Sequence, residues 1–152
     1  MSEINLLEER LNDFNAEIRR AALRELAATP LPARGTWFNM HCHSTYSYNG
    51  YGYSPQGLAW KGRREGLYGM ALVDFDVLDG VEEFLEACRL LGLRHGAGFE
   101  SRVFIPEFAT RVMNSPGEPG ISYHVGMGFT SCQVKDDTLL LRLKDIAQSR
   151  NR

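Results

Sequence analysis

Strand-like and helix-like segments alternate along the middle of this chain, and this alternation limits the possible folds more than any other feature. Short runs rich in apolar, β-branched and aromatic residues are separated by segments whose apolar residues recur every three or four positions. The strands are predicted at 36–44, 68–74, 93–104 and 121–129, and the helices at 54–65, 81–91 and 137–149. Because a helical connection returns the chain to begin a parallel strand, the pattern predicts an α/β fold with a parallel sheet.

The N-terminal segment predicts one amphipathic helix ahead of the α/β region. Its apolar residues recur at helical spacing between residues 7 and 26, and Asn5 with Glu8 matches a capping box. Pro30 and Pro32 end the helical pattern. We therefore expect an N-terminal helical extension at 1–32 and an α/β domain at 33–152.

Composition and charge exclude several classes of protein. The formal net charge is -2 and charges of both signs are mixed, so no basic surface for nucleic acid is indicated. The three cysteines lack C-x-x-C spacing, which argues against a disulfide framework or a cysteine zinc ribbon. The sequence shows neither a signal peptide nor a run of about 18 apolar residues. We expect a soluble, cytoplasmic protein that does not enter a membrane.

Side chains that bind metals stand at the ends of the predicted strands. His41 and His43 are two residues apart in a strand, so their imidazoles point to one face and can reach one ion. Functional groups of parallel sheets gather at the C-terminal strand ends. That rule adds Asp74, Asp76, Glu100 and His124. Imidazole nitrogens and carboxylate oxygens suit zinc, manganese or iron, so the set predicts a metal site.

Each of these residues also has an ordinary structural interpretation. Alternating histidines are common on half-exposed strands, and His124 alone is typical of a hydrogen-bonded core histidine. Glu100 alone could be a surface carboxylate, and Asp74 with Asp76 could form a turn before a helix. The joint placement favours the metal site, because three of the four histidines fall at predicted strand ends. We interpret the fourth, His95, as structural.

Several linked motifs resemble the PHP superfamily, which is named for polymerase and histidinol phosphatase. The family's H-x-H-S strand end is matched by residues 41–44, and its Ser-Asp-Gly turn by residues 47–50. Its strand ending in Thr-Asp-His-Asp is matched by residues 72–76, and its Gly-x-Glu strand end by residues 98–100. Because the motifs also follow the family's order, the chain resembles the N-terminal part of a PHP domain.

This resemblance implies a partial (β/α)7 barrel, here with an extra N-terminal helix. It implies hydrolysis of a phosphate ester by metal-activated water at a di-metal centre. In that arrangement His41 and His43 bind one ion, Glu100 bridges two ions, and His124 binds the second.

Further residues are expected to act around the metal ligands. Glu100 and Asp74 are the expected catalytic residues. The residues expected around the ligands or against the substrate are Asn49, Asp76 and Arg102, with Lys61 as a further candidate for phosphate contact.

Two positions depart from the family pattern. Asn49 stands where the family has an aspartate, and Phe75 stands where it has a histidine. The resemblance implies that both positions serve a third metal, so we expect two divalent ions at most. No histidine follows His124, so the chain does not complete the family's site by itself. We therefore expect either a homo-oligomer or a C-terminal portion that is missing from this sequence.

Two main functions stay open at this point. One is a metal-dependent phosphoesterase acting on a small phosphorylated substrate, which His41 and Glu100 favour. The other is a non-catalytic or truncated PHP-like domain acting as a binding or scaffold module, which Asn49 and Phe75 favour. A polymerase-associated domain acting on nucleic-acid ends is a third interpretation, but no polymerase motif or basic groove is present.

Overall fold

The structure, a computed structural model, describes residues 2–133 and 135–150. The α-helices in these ranges are α1 (Glu3–Arg10), α2 (Ala16–Ala27), α3 (Pro55–Arg64), α4 (Val81–Leu91) and α5 (Asp137–Arg150). The strands are β1 (Phe38–Cys42), β2 (Gly69–Phe75), β3 (Arg94–Phe104) and β4 (Ile121–Met127). Among the described residues, no helix combines the length and apolar character that crossing a bilayer requires.

The four strands form one sheet in the order β1-β2-β3-β4. As predicted, β1, β2 and β3 run parallel, because α3 and α4 connect them. The expectation that β4 also runs parallel is wrong, since β4 pairs antiparallel with β3. The connection at 105–120 holds only a short 3-10 helix, so β3 and β4 form a hairpin-like pair. The fold is therefore mixed α/β, and its sheet fits part of a barrel.

The N-terminal segment forms two helices, where its periodicity predicted one. Ser2 caps α1 by accepting a hydrogen bond from the Asn5 N–H at 3.2 Å, so the helix begins before the expected capping box. Asn15 caps α2 by accepting a hydrogen bond from the Glu17 N–H at 2.9 Å. Periodicity did not reveal the break because Phe14 and Ile18 continue the helical spacing between the two helices, although both side chains are exposed in the structure.

The N-terminal helices pack directly on the α/β region. Leu11, Leu23 and Leu26 are buried in the same hydrophobic cluster as Trp60 of α3 and Phe84 of α4. One hydrophobic core therefore joins the segments on either side of residue 32. The domain boundary expected at residue 32 remains a prediction.

A buried ion pair ties α2 to α4. Nε of Arg19 donates to Oε1 of Glu83 at 2.8 Å, and the Arg19 Nη2 pairs with the other carboxylate oxygen. Nη1 of Arg19 also donates to the carbonyls of Asp13 at 2.7 Å and Phe14 at 3.1 Å. One guanidinium therefore holds the α1–α2 connection and α4 together.

The two faces of the sheet have different roles. Leu72 and Ala97 belong to the hydrophobic core on the helix side, whereas Phe75 and Glu100 point to the opposite face. On that face β4 lies very close to β3 at Gly98, where an added Cβ would meet the carbonyl oxygen of Gly126 at 1.8 Å. Only glycine permits this approach. Gly98 lies two residues before Glu100, so β4 passes close to the strand segment that carries Glu100.

Candidate metal centre

Two histidines and one glutamate lie together where β1 ends and where the parallel pairing of β2 with β3 ends. Nε2 of His41 lies 3.0 Å from Oε2 of Glu100, and Nε2 of His43 lies 3.5 Å from the same oxygen. The imidazole rings meet edge to face, with their centroids 5.0 Å apart. The structure thus brings three of the predicted ligands into one group.

Strand geometry explains why these three side chains meet. Cys42, between the two histidines, is buried in the core on the helix side, so its neighbours point to the other face. The register between β1 and β2 shifts between Asn39 and Cys42, just where the histidines begin. Phe75, at the end of β2, is level with Glu100 on β3, so the ends of β1 and β2 lie beside Glu100 in the second half of β3.

The spacing of the three ligand atoms fits a divalent metal ion. Atoms bound to a tetrahedral zinc ion at about 2.0–2.1 Å are roughly 3.4 Å from one another. The two nitrogen–oxygen distances, 3.0 and 3.5 Å, lie on either side of that value. All three atoms lie within 4.8 Å of one another. Two nitrogens and one carboxylate oxygen are donors that zinc, manganese and iron accept.

The two histidines differ in their exposure to solvent. The side chain of His43 is 12% exposed, and that of His41 is 52% exposed. Burial, and after it the charge of His41, lowers the pKa of His43, although Glu100 and the Val73 backbone act in the opposite direction. A lowered pKa favours the neutral imidazole near neutral pH, which is the form that binds a metal.

Asp74 lies outside the ligand group and holds the chain beside it. Its carboxylate accepts hydrogen bonds from the Ser44 N–H at 2.5 Å and from the Ser44 hydroxyl at 2.6 Å. Burial raises the pKa of Asp74 to about 6, although the bonds from Ser44 oppose that rise. Because Ser44 directly follows His43, these contacts support a positioning role. The catalytic role expected for Asp74 remains a prediction.

Asp76 holds β3 at Glu100 and Ser101 in a similar way. Its N–H donates to the carbonyl of Glu100 at 2.9 Å, and its carboxylate accepts a hydrogen bond from the Ser101 hydroxyl. The φ angle of Asp76 is 57°, a left-handed conformation that aspartate adopts more readily than most residues. Asp76 thus contacts the backbone of one ligand residue from a sharply turned position.

Asn49 and Arg102 have other partners near the site. Oδ1 of Asn49 accepts a hydrogen bond from the Ser47 hydroxyl at 2.6 Å, and that hydroxyl oxygen accepts one from the Phe75 N–H at 3.2 Å. Nε of Arg102 donates to Glu118 in the β3–β4 connection at 3.1 Å. Asn49 thereby supports the end of β2, and Arg102 contacts a carboxylate of the hairpin connection.

The structure does not bring His124 to the ligand group. His124 pairs with Ser101, and neighbouring residues of a strand point to opposite faces, so it faces away from Glu100. Its selection relied on a parallel β4, whereas an antiparallel strand ends at the opposite edge of the sheet. His124 as a ligand therefore remains a prediction that its position does not support.

Sequence reasoning missed the two serines and an aromatic cluster around the ligands. Ser44 and Ser47 are buried hydroxyls, and their places in the matched H-x-H-S and Ser-Asp-Gly motifs were the only signals for them. The rings of Phe75, Tyr48 and Tyr123 lie against His43 or against one another. That cluster joins residues far apart in sequence, so no local pattern could reveal it.

A cleft of about 550 Å³ opens beside the two histidines. His41 and His43 line one part of it, and Tyr53 and Lys61 line another. The Lys61 ammonium lies 5.7 Å from the Tyr53 ring centroid and 3.1 Å from a Glu65 carboxylate oxygen. The cleft therefore reaches the two histidines of the ligand group, though not Glu100, from a side that carries an aromatic ring and a cation.

Comparison with known proteins gives one sequence relative of interest. Over 68 residues, the chain is 38% identical to an error-prone DNA polymerase from Cutibacterium acnes. This match covers 45% of the chain but only 6% of the polymerase. No protein-family model matches the sequence.

A solved structure gives an independent comparison at the level of the fold. The crystal structure of a candidate metal-dependent phosphoesterase from Bifidobacterium adolescentis superposes with a TM-score of 0.52 at 22% identity. The match covers 76% of this chain and 34% of that protein, so the chain spans about a third of it. Together with the order of the sequence motifs, the two similarities support a PHP-like domain in this chain, and their partial coverage fits the N-terminal part of such a domain.

Proposed function

We propose that this domain binds divalent metal ions and hydrolyses phosphate esters. The observation that carries the proposal is the convergence of ligand atoms from His41, His43 and Glu100. A bound divalent ion supplies Lewis-acid chemistry, because it acidifies water and neutralises charge on a phosphoryl group. The likeness to the fold of a candidate phosphoesterase is the second support.

The chain's own residues have separate parts in this proposal. His41 and His43 provide neutral nitrogen ligands, and Glu100 provides a carboxylate whose two oxygens can serve two ions. We propose two ions at most, of zinc, manganese or iron, because Phe75 offers no ligand atom where the resemblance has a histidine. Asp74 holds the backbone that follows His43.

The cleft beside the histidines is the proposed place for the substrate. Its volume of about 550 Å³ suits a small phosphorylated molecule. Lys61 would attract the anion, and Tyr53 offers an apolar surface to the organic part. The remaining strands of a (β/α)7 barrel would come from a further polypeptide segment or from a second copy of the chain.

Metal analysis tests the first half of the proposal. Untagged protein is incubated with zinc or manganese, freed of excess ion, and measured by elemental mass spectrometry. We expect the wild type to retain metal and His41→Ala/His43→Ala to retain none. His95→Ala/His124→Ala is the matched control, because it removes the other two histidines and should retain metal. A wild type that stays metal-free would reject the proposal.

Hydrolysis of phosphate monoesters and diesters tests the second half. We expect turnover that requires added metal and disappears in Glu100→Gln. Protein that holds metal but hydrolyses no ester would favour the alternative, a PHP-like binding or scaffold module. The apolar Phe75 near the ligands is the observation that keeps this alternative open.

A further inference from the structure

Four aromatic rings from four parts of the chain meet beside the candidate ligands. The Phe75 ring stacks on the imidazole of His43, with centroids 5.2 Å apart and an interplanar angle of 14°. Tyr48 contacts the same ring at 4.9 Å, and Tyr123 on β4 meets it edge-on at 5.8 Å. The cluster therefore joins the end of β1, the following turn, the end of β2 and β4.

Phe75 is the central ring of this cluster and is itself held in place. It is 5% exposed, and the rings of Tyr48 and Tyr123 restrict it from two other directions. Its N–H donates to Ser47 at 3.2 Å, which fixes the backbone as well. A ring held in this way presents a rigid flat surface to its neighbour.

His43 needs such a surface because its orientation has little other support from side chains. A metal-binding histidine is usually oriented by a hydrogen bond from its second ring nitrogen to a carboxylate, carbonyl or water. Nδ1 of His43 is buried, and no side chain among the described residues hydrogen-bonds to it. The Val73 backbone and the edge of the His41 ring also contact this imidazole. Phe75 is the ring that lies flat against it, so Phe75 is the contact that restricts the plane of the imidazole.

We propose that Phe75 is a positioning residue that orients His43 for metal binding through ring stacking. The inference rests on the proposed metal site and adds a residue that coordinates nothing. Near-parallel rings limit rotation of the imidazole about its bond to Cβ, so Nε2 stays directed toward the Glu100 carboxylate. A branched aliphatic side chain would fill the volume without offering a flat face.

The main test compares metal affinity in Phe75→Leu with the wild type by titration calorimetry with zinc. We expect a loss of about 10-fold to 100-fold, the range for losing an outer contact to a metal ligand. Phe99→Leu is the matched control, because Phe99 lies in the next strand, faces the helix side and contacts Phe129 at 5.6 Å. The Phe99→Leu variant should lose stability but keep its metal affinity. Phe75→Tyr keeps the aromatic ring, so it should bind metal like the wild type.

A second readout uses metal-free protein. A stacked ring shifts the NMR signal of the His43 Cε1 proton upfield, and we expect this shift to disappear in Phe75→Leu and to persist in Phe99→Leu. Equal metal affinity, or an unchanged proton shift, in Phe75→Leu would overturn the inference while leaving the proposed function intact. A wild type that binds no metal would instead reject the proposed function, and this inference with it.

Discussion

Ser44 donates two hydrogen bonds to one buried carboxylate, from its N–H at 2.5 Å and from its hydroxyl at 2.6 Å to Asp74. This contact crosses from the end of β1 to the end of β2. Ser44 directly follows His43 in the chain. The position of this candidate metal ligand therefore depends on a carboxylate in the neighbouring strand. Gly80 is close to this carboxylate too, since an added Cβ there would lie 3.1 Å from Oδ2 of Asp74.

Burial of Asp74 predicts a pH-dependent stability. Its pKa in the folded protein is about 6, above the ordinary 3.8, so the folded state binds this proton more tightly than the unfolded chain. The stabilisation is complete below about pH 3.8 and is lost as the pH rises through about 6. The difference corresponds to at most about 3 kcal/mol in the free energy of unfolding.

The measurement is urea unfolding of metal-free wild type and Asp74→Asn between pH 4 and pH 8. Other groups titrate in both proteins, so the difference between the two curves isolates Asp74. We expect Asp74→Asn to gain stability relative to the wild type as the pH rises through about 6. Two curves that stay parallel over this range would show that Asp74 is not responsible.

Glu100→Gln should weaken metal binding strongly. The amide keeps the size of the side chain but removes the charge that balances a divalent ion and one good oxygen donor. We expect at least about a 100-fold loss of affinity for zinc, because an immediate ligand matters more than an outer contact. His124→Ala is the control, and we expect its affinity to match that of the wild type. Loss of metal in His124→Ala would show that β4 takes a different position from the one described.

Gly98→Ala should destabilise the sheet where β3 and β4 lie closest. The new methyl group would meet the Gly126 carbonyl oxygen at 1.8 Å, and neither backbone can yield without disturbing the strand pair. Overpacking of this kind costs about 1–3 kcal/mol. Thermal unfolding measures the loss, and zinc affinity should fall with it, because Glu100 is two residues away. A fully stable Gly98→Ala protein would contradict the close pairing at this point.

The buried pair of Arg19 and Glu83 should show strong coupling. Removing one partner leaves a largely buried charge without its counter-charge. Full burial would cost about 3–5 kcal/mol, so Arg19→Met and Glu83→Leu should each cost up to that amount. The double variant should cost clearly less than the sum, since no charge is then left alone. Chemical unfolding of all four proteins gives the coupling energy. Additive effects would mean that the two side chains do not interact in solution.

Local sequence signals predicted the elements that surround the site. A helix was predicted from residue 54, and the hydroxyl of Ser54 caps α3 by accepting a hydrogen bond from the Gly57 N–H at 2.9 Å. A helix was predicted to end at residue 91, and Gly92 follows α4 with a φ of 68°, the left-handed conformation that glycine tolerates. These signals succeed because capping and termination depend on a few adjacent residues.

Long-range relationships were harder to predict. Whether β4 runs parallel or antiparallel depends on how the chain crosses 105–120, and no residue in that connection encodes a direction by itself. The wrong direction predicted for β4 also led to the selection of His124, because His124 was chosen as lying at the C-terminal end of a parallel strand. His41, His43 and Glu100 come together because helical connections make β1, β2 and β3 parallel: the histidines lie where β1 ends, and Glu100 lies where the pairing of β2 with β3 ends.

The order of the strands has a thermodynamic consequence. His41 and Glu100 are 59 residues apart in sequence and belong to β1 and β3, with β2 between them. No pair of adjacent strands contains both ligands, so a metal ion that prefers this geometry binds only when all three strands are assembled. Such an ion acts as a cross-link that adds about 2.7 kcal/mol to the free energy of unfolding at 100 times its dissociation constant. The fraction of folded chains would then follow the supply of free metal around the protein.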